Sequence, residues 1–175
     1  MKKQILLSIC VLYSFMTFGQ EKASLTKQET VNYLRKKCQE VVGFSRVLNK
    51  YGEISKVTKV DVSIDDCTIS YTAYTKDVAL DIQTSYPRKY SFNVKDISSI
   101  SVSKELYGGG SAGIIDIYLV SKTGLRTYVG QGGPEAVSRI EINFLAADVT
   151  NFDKIRKALE HIQALCKAED DPFGN

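Results

Sequence analysis

Few residues in this 175-residue chain have the type and spacing for chemistry. His161 is the single histidine, with no second His or Glu at metal-ligand spacing beside it and no Gly-x-Ser-x-Gly elbow elsewhere for it to serve. It reads as a half-exposed helix residue. Asp61, Asp65 and Asp66 could gather at one end of a hairpin, where two carboxylates at a suitable separation hydrolyse glycosides. Turn formation accounts for Asp65-Asp66 with fewer assumptions. Gly108-Gly109-Gly110-Ser111-Ala112-Gly113 matches the dinucleotide pattern G-x-G-x-x-G, but that motif needs a following helix to hold pyrophosphate at its N-terminus. Ile114 to Tyr118 alternates as a strand, so the segment reads as a hairpin loop. Tyr107, Gly108, Gly109, Gly110 and Gly113 then form a candidate interaction loop. No catalytic, cofactor-binding or metal-binding residue is assigned, and the chain is read as not an enzyme.

The cysteines carry a different message. Met1-Lys2-Lys3 followed by the uncharged apolar run Ile5–Phe18 reads as a bacterial export leader, cut after Gly19 and too short to span a membrane comfortably. A lipid-attachment reading of Leu7-Ser8-Ile9-Cys10 fails because bulky Ile9 stands before the cysteine. The expected mature chain is residues 20–175, secreted or periplasmic, with no stable membrane anchor. Loss of Lys2 and Lys3 takes the 23 basic residues to 21, against 20 acidic ones. A near-neutral chain has no general field to hold a polyanion, which argues against nucleic acid as a partner. Cys38, Cys67 and Cys166 remain, and in an oxidising compartment they allow one bridge by three pairings. Cys38 and Cys166 both lie on apolar helix stripes, so they form a disulfide if the two helices pack side by side, or else remain two buried thiols.

The elements that must position these groups follow from periodicity. Thr26 and Glu29 make a capping box, then Val31, Leu34, Cys38, Val41 and Val42 recur at helical spacing before Gly43 stops the helix. From Ile54 the period is two: Val60-Val62-Ile64, Ile69-Tyr71-Ala73, Val78-Leu80-Ile82, Tyr90-Phe92-Val94, Ile100-Val102, Ile115-Ile117-Leu119, Leu125-Thr127-Val129 and Ile140-Ile142-Phe144. Turn signals separate the runs at Asp65-Asp66, Ser85-Tyr86-Pro87, Gly108–Gly113, Lys122-Thr123-Gly124 and Gly130–Pro134. The close connections predict antiparallel pairing. Thr150 is placed to cap a final amphipathic helix through Phe152, Ile155, Leu159, Ile162 and Cys166, and residues 168–175 are expected as a loose tail. The predicted fold is α+β in one domain: an N-terminal helix, a strongly curved antiparallel sheet or barrel of about seven or eight strands, and a C-terminal helix over one end.

Three stretches carry a resemblance: Glu29-Thr30-Val31-Asn32-Tyr33-Leu34, Asp96-Ile97-Ser98-Ser99-Ile100, and Lys157 through Cys166. With the meander closed by one helix, they make the chain resemble small secreted bacterial proteins of unknown function with a pleckstrin-homology-like architecture. Phosphoinositide-binding members of that group place basic residues around the first hairpin, where this chain has Asp65-Asp66. With no catalytic set visible, the expected function is a binding or interaction domain for an unidentified protein or small-molecule ligand of the cell envelope, with no cofactor. The alternatives are a small envelope hydrolase using the clustered aspartates, or an assembly protein pairing through a sheet edge.

Overall fold

The computed structural model describes residues 25–47, 53–80, 87–103 and 110–170. The expected leader, residues 1–19, lies outside them. Helix α1 covers Lys27–Gln39 and begins at the predicted capping box. The Thr26 hydroxyl accepts the Glu29 N–H at 3.2 Å, and the Glu29 carboxylate accepts the Thr26 N–H at 2.8 Å. Thr30, Val31, Leu34 and Cys38 form its buried face. The chain leaves the helix through Gly43, whose φ of +92° favours glycine and whose N–H donates to the Val57 carbonyl at 2.8 Å.

Nine strands follow among the described residues: β1 Ser45–Val47, β2 Ile54–Asp65, β3 Thr68–Asp77, β4 Arg88–Asn93, β5 Ile97–Val102, β6 Ala112–Leu119, β7 Gly124–Tyr128, β8 Gln131–Val137 and β9 Arg139–Leu145. Helix α2, Asn151–Asp170, ends the described chain. Every pairing among the described residues is antiparallel. The strands form a six-stranded sheet in the order β1-β2-β3-β4-β7-β8 and a three-stranded sheet in the order β5-β6-β9. Among the described residues they do not close into a barrel. The 3-10 turn Val94–Asp96 diverts the chain after β4, so β5 opens a second sheet instead of extending the first.

Two expected features change. Val78–Leu80 is a turn, because the Asp77 carboxylate accepts the Ala79 and Leu80 N–H groups at 2.8 Å each and ends the strand. The segment read as a Gly130–Pro134 turn is mostly β8, an edge strand, where a proline's missing N–H breaks no ladder bond. The Asp65-Asp66 turn holds as expected: Asp65 pairs with Thr68, and Asp66 takes the left-handed φ of +51° in a two-residue hairpin loop.

One continuous core joins these parts. Val60, Val62, Ile69, Tyr71, Tyr90 and Phe92 come from the larger sheet, and Ile115, Ile117, Ile140, Ile142 and Phe144 from the smaller. Leu34 and Cys38 of α1 join it, as do Ile155, Leu159, Ile162 and Cys166 of α2. Helix α2 packs against α1 and against the 3-10 turn, where Gln163 Nε2 donates to the Ile97 carbonyl at 2.8 Å. It runs on past residue 168, the expected start of a loose tail, to Asp170, which pairs with Lys95 at 2.8 Å.

The disulfide joins Cys67 to Cys166, with Cα atoms 5.9 Å apart, and Cys38 stays a buried thiol. The Cys38–Cys166 pairing is thereby corrected, and helix direction explains why. Lys27, the first residue of α1, lies at the bridge, with its Nζ 3.5 Å from Cys67 Sγ and 2.7 Å from Glu169. Cys38 stands three turns further on, about 16 Å along the axis at 1.5 Å per residue. The hairpin loop after β2 supplies the partner instead.

Candidate functional site

The sequence motifs disperse when folded. Asp61 borders a shallow 390 Å³ hollow on the outer sheet face with Ser70, Thr72, Tyr74 and Lys89, and it pairs with Lys59 at 2.7 Å. Asp66 borders a separate 340 Å³ hollow beside α1 and faces Lys27 at 3.7 Å. The two carboxylates therefore serve different surfaces. His161 Nε2 lies 2.8 Å from the Leu25 carbonyl oxygen, a contact that ties α2 to the start of α1. Cys67, Cys166 and Glu169 bring three possible metal ligands within 4.8 Å, but sulfurs joined to each other are not thiolate donors.

Of the candidate loop, Tyr107, Gly108 and Gly109 lie outside the described residues. Gly113 is corrected from loop to strand: it is buried in β6, where a Cβ would overlap the Phe144 ring. Gly110 is exposed and rests on β1, so that a Cβ would come within 2.8 Å of the Ser45 carbonyl oxygen and 2.9 Å of Arg46 Cα. This close approach leads to a cluster that the motif search did not find.

At the seam where the edge strand β9 meets the larger sheet, charged and phenolic side chains gather. Arg88 and Tyr90 share the phase of buried Phe92 on β4, and cross-strand register sets Arg88 opposite Tyr128 and Tyr90 opposite Arg126. Arg88 Nη1 donates to Glu141 of β9 at 3.0 Å, and Arg139 reaches the same carboxylate at 3.7 Å. Arg126 pairs with Glu135 at 2.7 Å. The Arg88 and Arg126 guanidiniums lie 6.0 and 5.6 Å from the Tyr128 ring centroid, within cation–π range. Arg46 enters from β1, on the face of its buried partner Ser55, and senses Glu141, Tyr71, Arg88 and Tyr90. Below them the Tyr71 hydroxyl accepts the Asn143 backbone N–H at 2.9 Å and its Nδ2 at 3.2 Å. β9 is the edge of its sheet, so this phenol satisfies a main-chain donor that has no strand beside it.

The electrostatics are lopsided. Burial pulls the Arg46 guanidinium below its ordinary value; Glu141 and Tyr71 oppose the shift, and the like charge of Arg88 adds to it. Burial also acts against the Arg88 charge, but Tyr90, Glu141 and Tyr128 outweigh it and raise that group. Burial raises the Tyr90 phenol, with Glu141 adding to the effect and the Arg88 and Arg126 charges opposing it. Among the described residues, the Nε–H groups of Arg46 and Arg126 are buried with no hydrogen-bond partner. An unpaired donor on a charged group is costly to bury.

Motif reading missed these residues because they sit on six different strands with no fixed spacing. One signal was available: Arg88, Tyr90 and Phe92 share a strand phase. Reading Leu125-Thr127-Val129 as the apolar set of β7 pointed the other way, since Leu125 and Val129 are 45% and 41% exposed while Arg126 and Tyr128 are half-buried.

These features define an α+β domain with a cationic, phenol-lined seam, and no helix among the described residues is long and apolar enough to cross a membrane. No family model matches the chain, and neither a curated protein nor a solved structure matches it.

Proposed function

We propose that this chain is an exported, non-catalytic binding domain of pleckstrin-homology-like architecture whose ligand seats on the Arg46–Arg88–Tyr90 seam. The observation that carries the reading is the Arg46 guanidinium, drawn in from an edge strand with its Nε–H left unpaired among the described residues. The meander completed by α2 supports the architectural part, and the Cys67–Cys166 bridge supports an oxidising destination. Arginine and a phenol raised by burial keep one protonation state near neutral pH, which suits holding a ligand better than moving protons.

Amide resonances of β4 and β9 in the purified protein test the reading against a panel of neutral sugars, peptides and small organic ions. At least one ligand class is expected to shift the seam resonances saturably, with α2 resonances unmoved. A panel in which no class shifts the seam, or which shifts only the outer hollow around Asp61, would overturn it.

A further inference from the structure

The seam also indicates what kind of ligand it takes. Glu141 is engaged by Arg88 at 3.0 Å and by Arg139 at 3.7 Å, and Glu135 by Arg126 at 2.7 Å. Arg46, Arg88, Arg126 and Arg139 thus face Glu135, Glu141 and Asp116, the last paired with Arg139 at 3.0 Å, an excess of one positive charge among the described seam residues in a partly buried place. Arg46 presents a buried donor to it, and Tyr90, directly across from Arg126, is 2% exposed. The group already seated among these guanidiniums, Glu141, shows which partner the spacing suits. A planar two-oxygen anion meets an arginine fork, and Tyr128 supplies a ring against which a ligand body can pack.

We infer that the seam binds a ligand carboxylate, taken chiefly by Arg46 and flanked by Tyr90 and Arg126. This rests on the seam being the ligand site. The carboxylate comes either from a small organic acid or from the C-terminus of a peptide. Both sources present the same two oxygens and one negative charge, which completes the local balance that Glu135, Glu141 and Asp116 leave open.

Arginine side-chain Nε–H resonances of the intact protein read this directly. The probes are succinate, a tripeptide with a free C-terminus, the same tripeptide amidated, inorganic phosphate and a neutral disaccharide, at constant ionic strength. Succinate or the free-acid peptide is expected to shift the Arg46 and Arg126 Nε–H signals saturably. The amidated peptide and phosphate are expected to bind at least tenfold more weakly. Response to succinate alone selects the small acid, and response to the free-acid peptide alone selects a chain terminus. Arg46→Gln is expected to weaken the response tenfold or more, and Arg126→Gln, on a strand interior to the sheet but half-exposed, serves if the first variant fails to fold. Equal binding of phosphate and carboxylates would overturn the carboxylate assignment while the binding reading stands. Seam shifts with the disaccharide but with no anion would do the same. Silence from every probe would overturn both.

Discussion

Tyr71 shows how one hydroxyl can hold two sheets together. It is 1% exposed, its ring lies in the core, and its oxygen takes two donors from Asn143 across the sheet boundary. Tyr71→Phe keeps the packing and orphans both donors, so the variant should lose about 1–3 kcal/mol in urea unfolding; an unchanged midpoint would show that water replaces the phenol. Cys38 makes a complementary case. Burial pushes its thiol up to about 12, with Glu40 adding to the shift, so thiolate is scarce at pH 8 in the native state. Iodoacetamide should label Cys38 only after denaturant is added, whereas rapid native labelling would contradict its burial.

At the scale of elements, Thr150 stands directly before α2 with its carbonyl accepting the Lys154 N–H at 3.1 Å, and its side chain turns back to Asp148. The Thr150 hydroxyl donates to Asp148 at 2.6 Å, and its N–H donates to the same carboxylate at 2.9 Å. Lys154, one turn into α2, reaches Asp148 at 3.0 Å. Led by the Thr150 hydroxyl, these partners hold the Asp148 carboxyl well below the usual carboxylate range. A depressed carboxylate stabilises the fold above its unfolded value, about 3.9, and the contribution is lost as pH falls below that toward the folded value. Asp148→Asn should therefore be less stable than the parent at pH 6, and the gap should narrow steadily as pH falls below about 3.9. A difference independent of pH would assign the effect to the turn geometry instead. β7 teaches a related point about elements: its apolar residues face outward and its arginine and tyrosine inward, so alternation marked the strand and not its direction.

For the whole molecule, the Cys67–Cys166 bridge matters most. It fastens the β2–β3 hairpin loop to the end of α2 across 99 residues of chain, and Lys27 of α1 and Glu169 meet beside it. In the chain-entropy view a loop of that length stabilises strongly, so reduction or Cys166→Ser should cost about 2–5 kcal/mol and lower the melting temperature. Peptide mapping without reductant should recover a Cys67–Cys166 cross-link, and a cross-link containing Cys38 would refute the arrangement.

Local chemistry was enough for much of this architecture. The Thr26–Glu29 box, the helical stripe from Val31 to Cys38, the Asp65-Asp66 turn and the spacing of Ile155, Leu159 and Ile162 each act within a few residues, and each forms as its pattern dictates. Strands with poor local signals escaped: β1 is three residues long, and β8 contains Gly132, Gly133 and Pro134. The division into two sheets, the choice of Cys67 over Cys38 and the gathering of Arg46, Arg88, Arg126 and Glu141 were decided only by tertiary structure. Each depends on which distant segments become neighbours, and contact between residues tens of positions apart leaves no periodic trace in the chain.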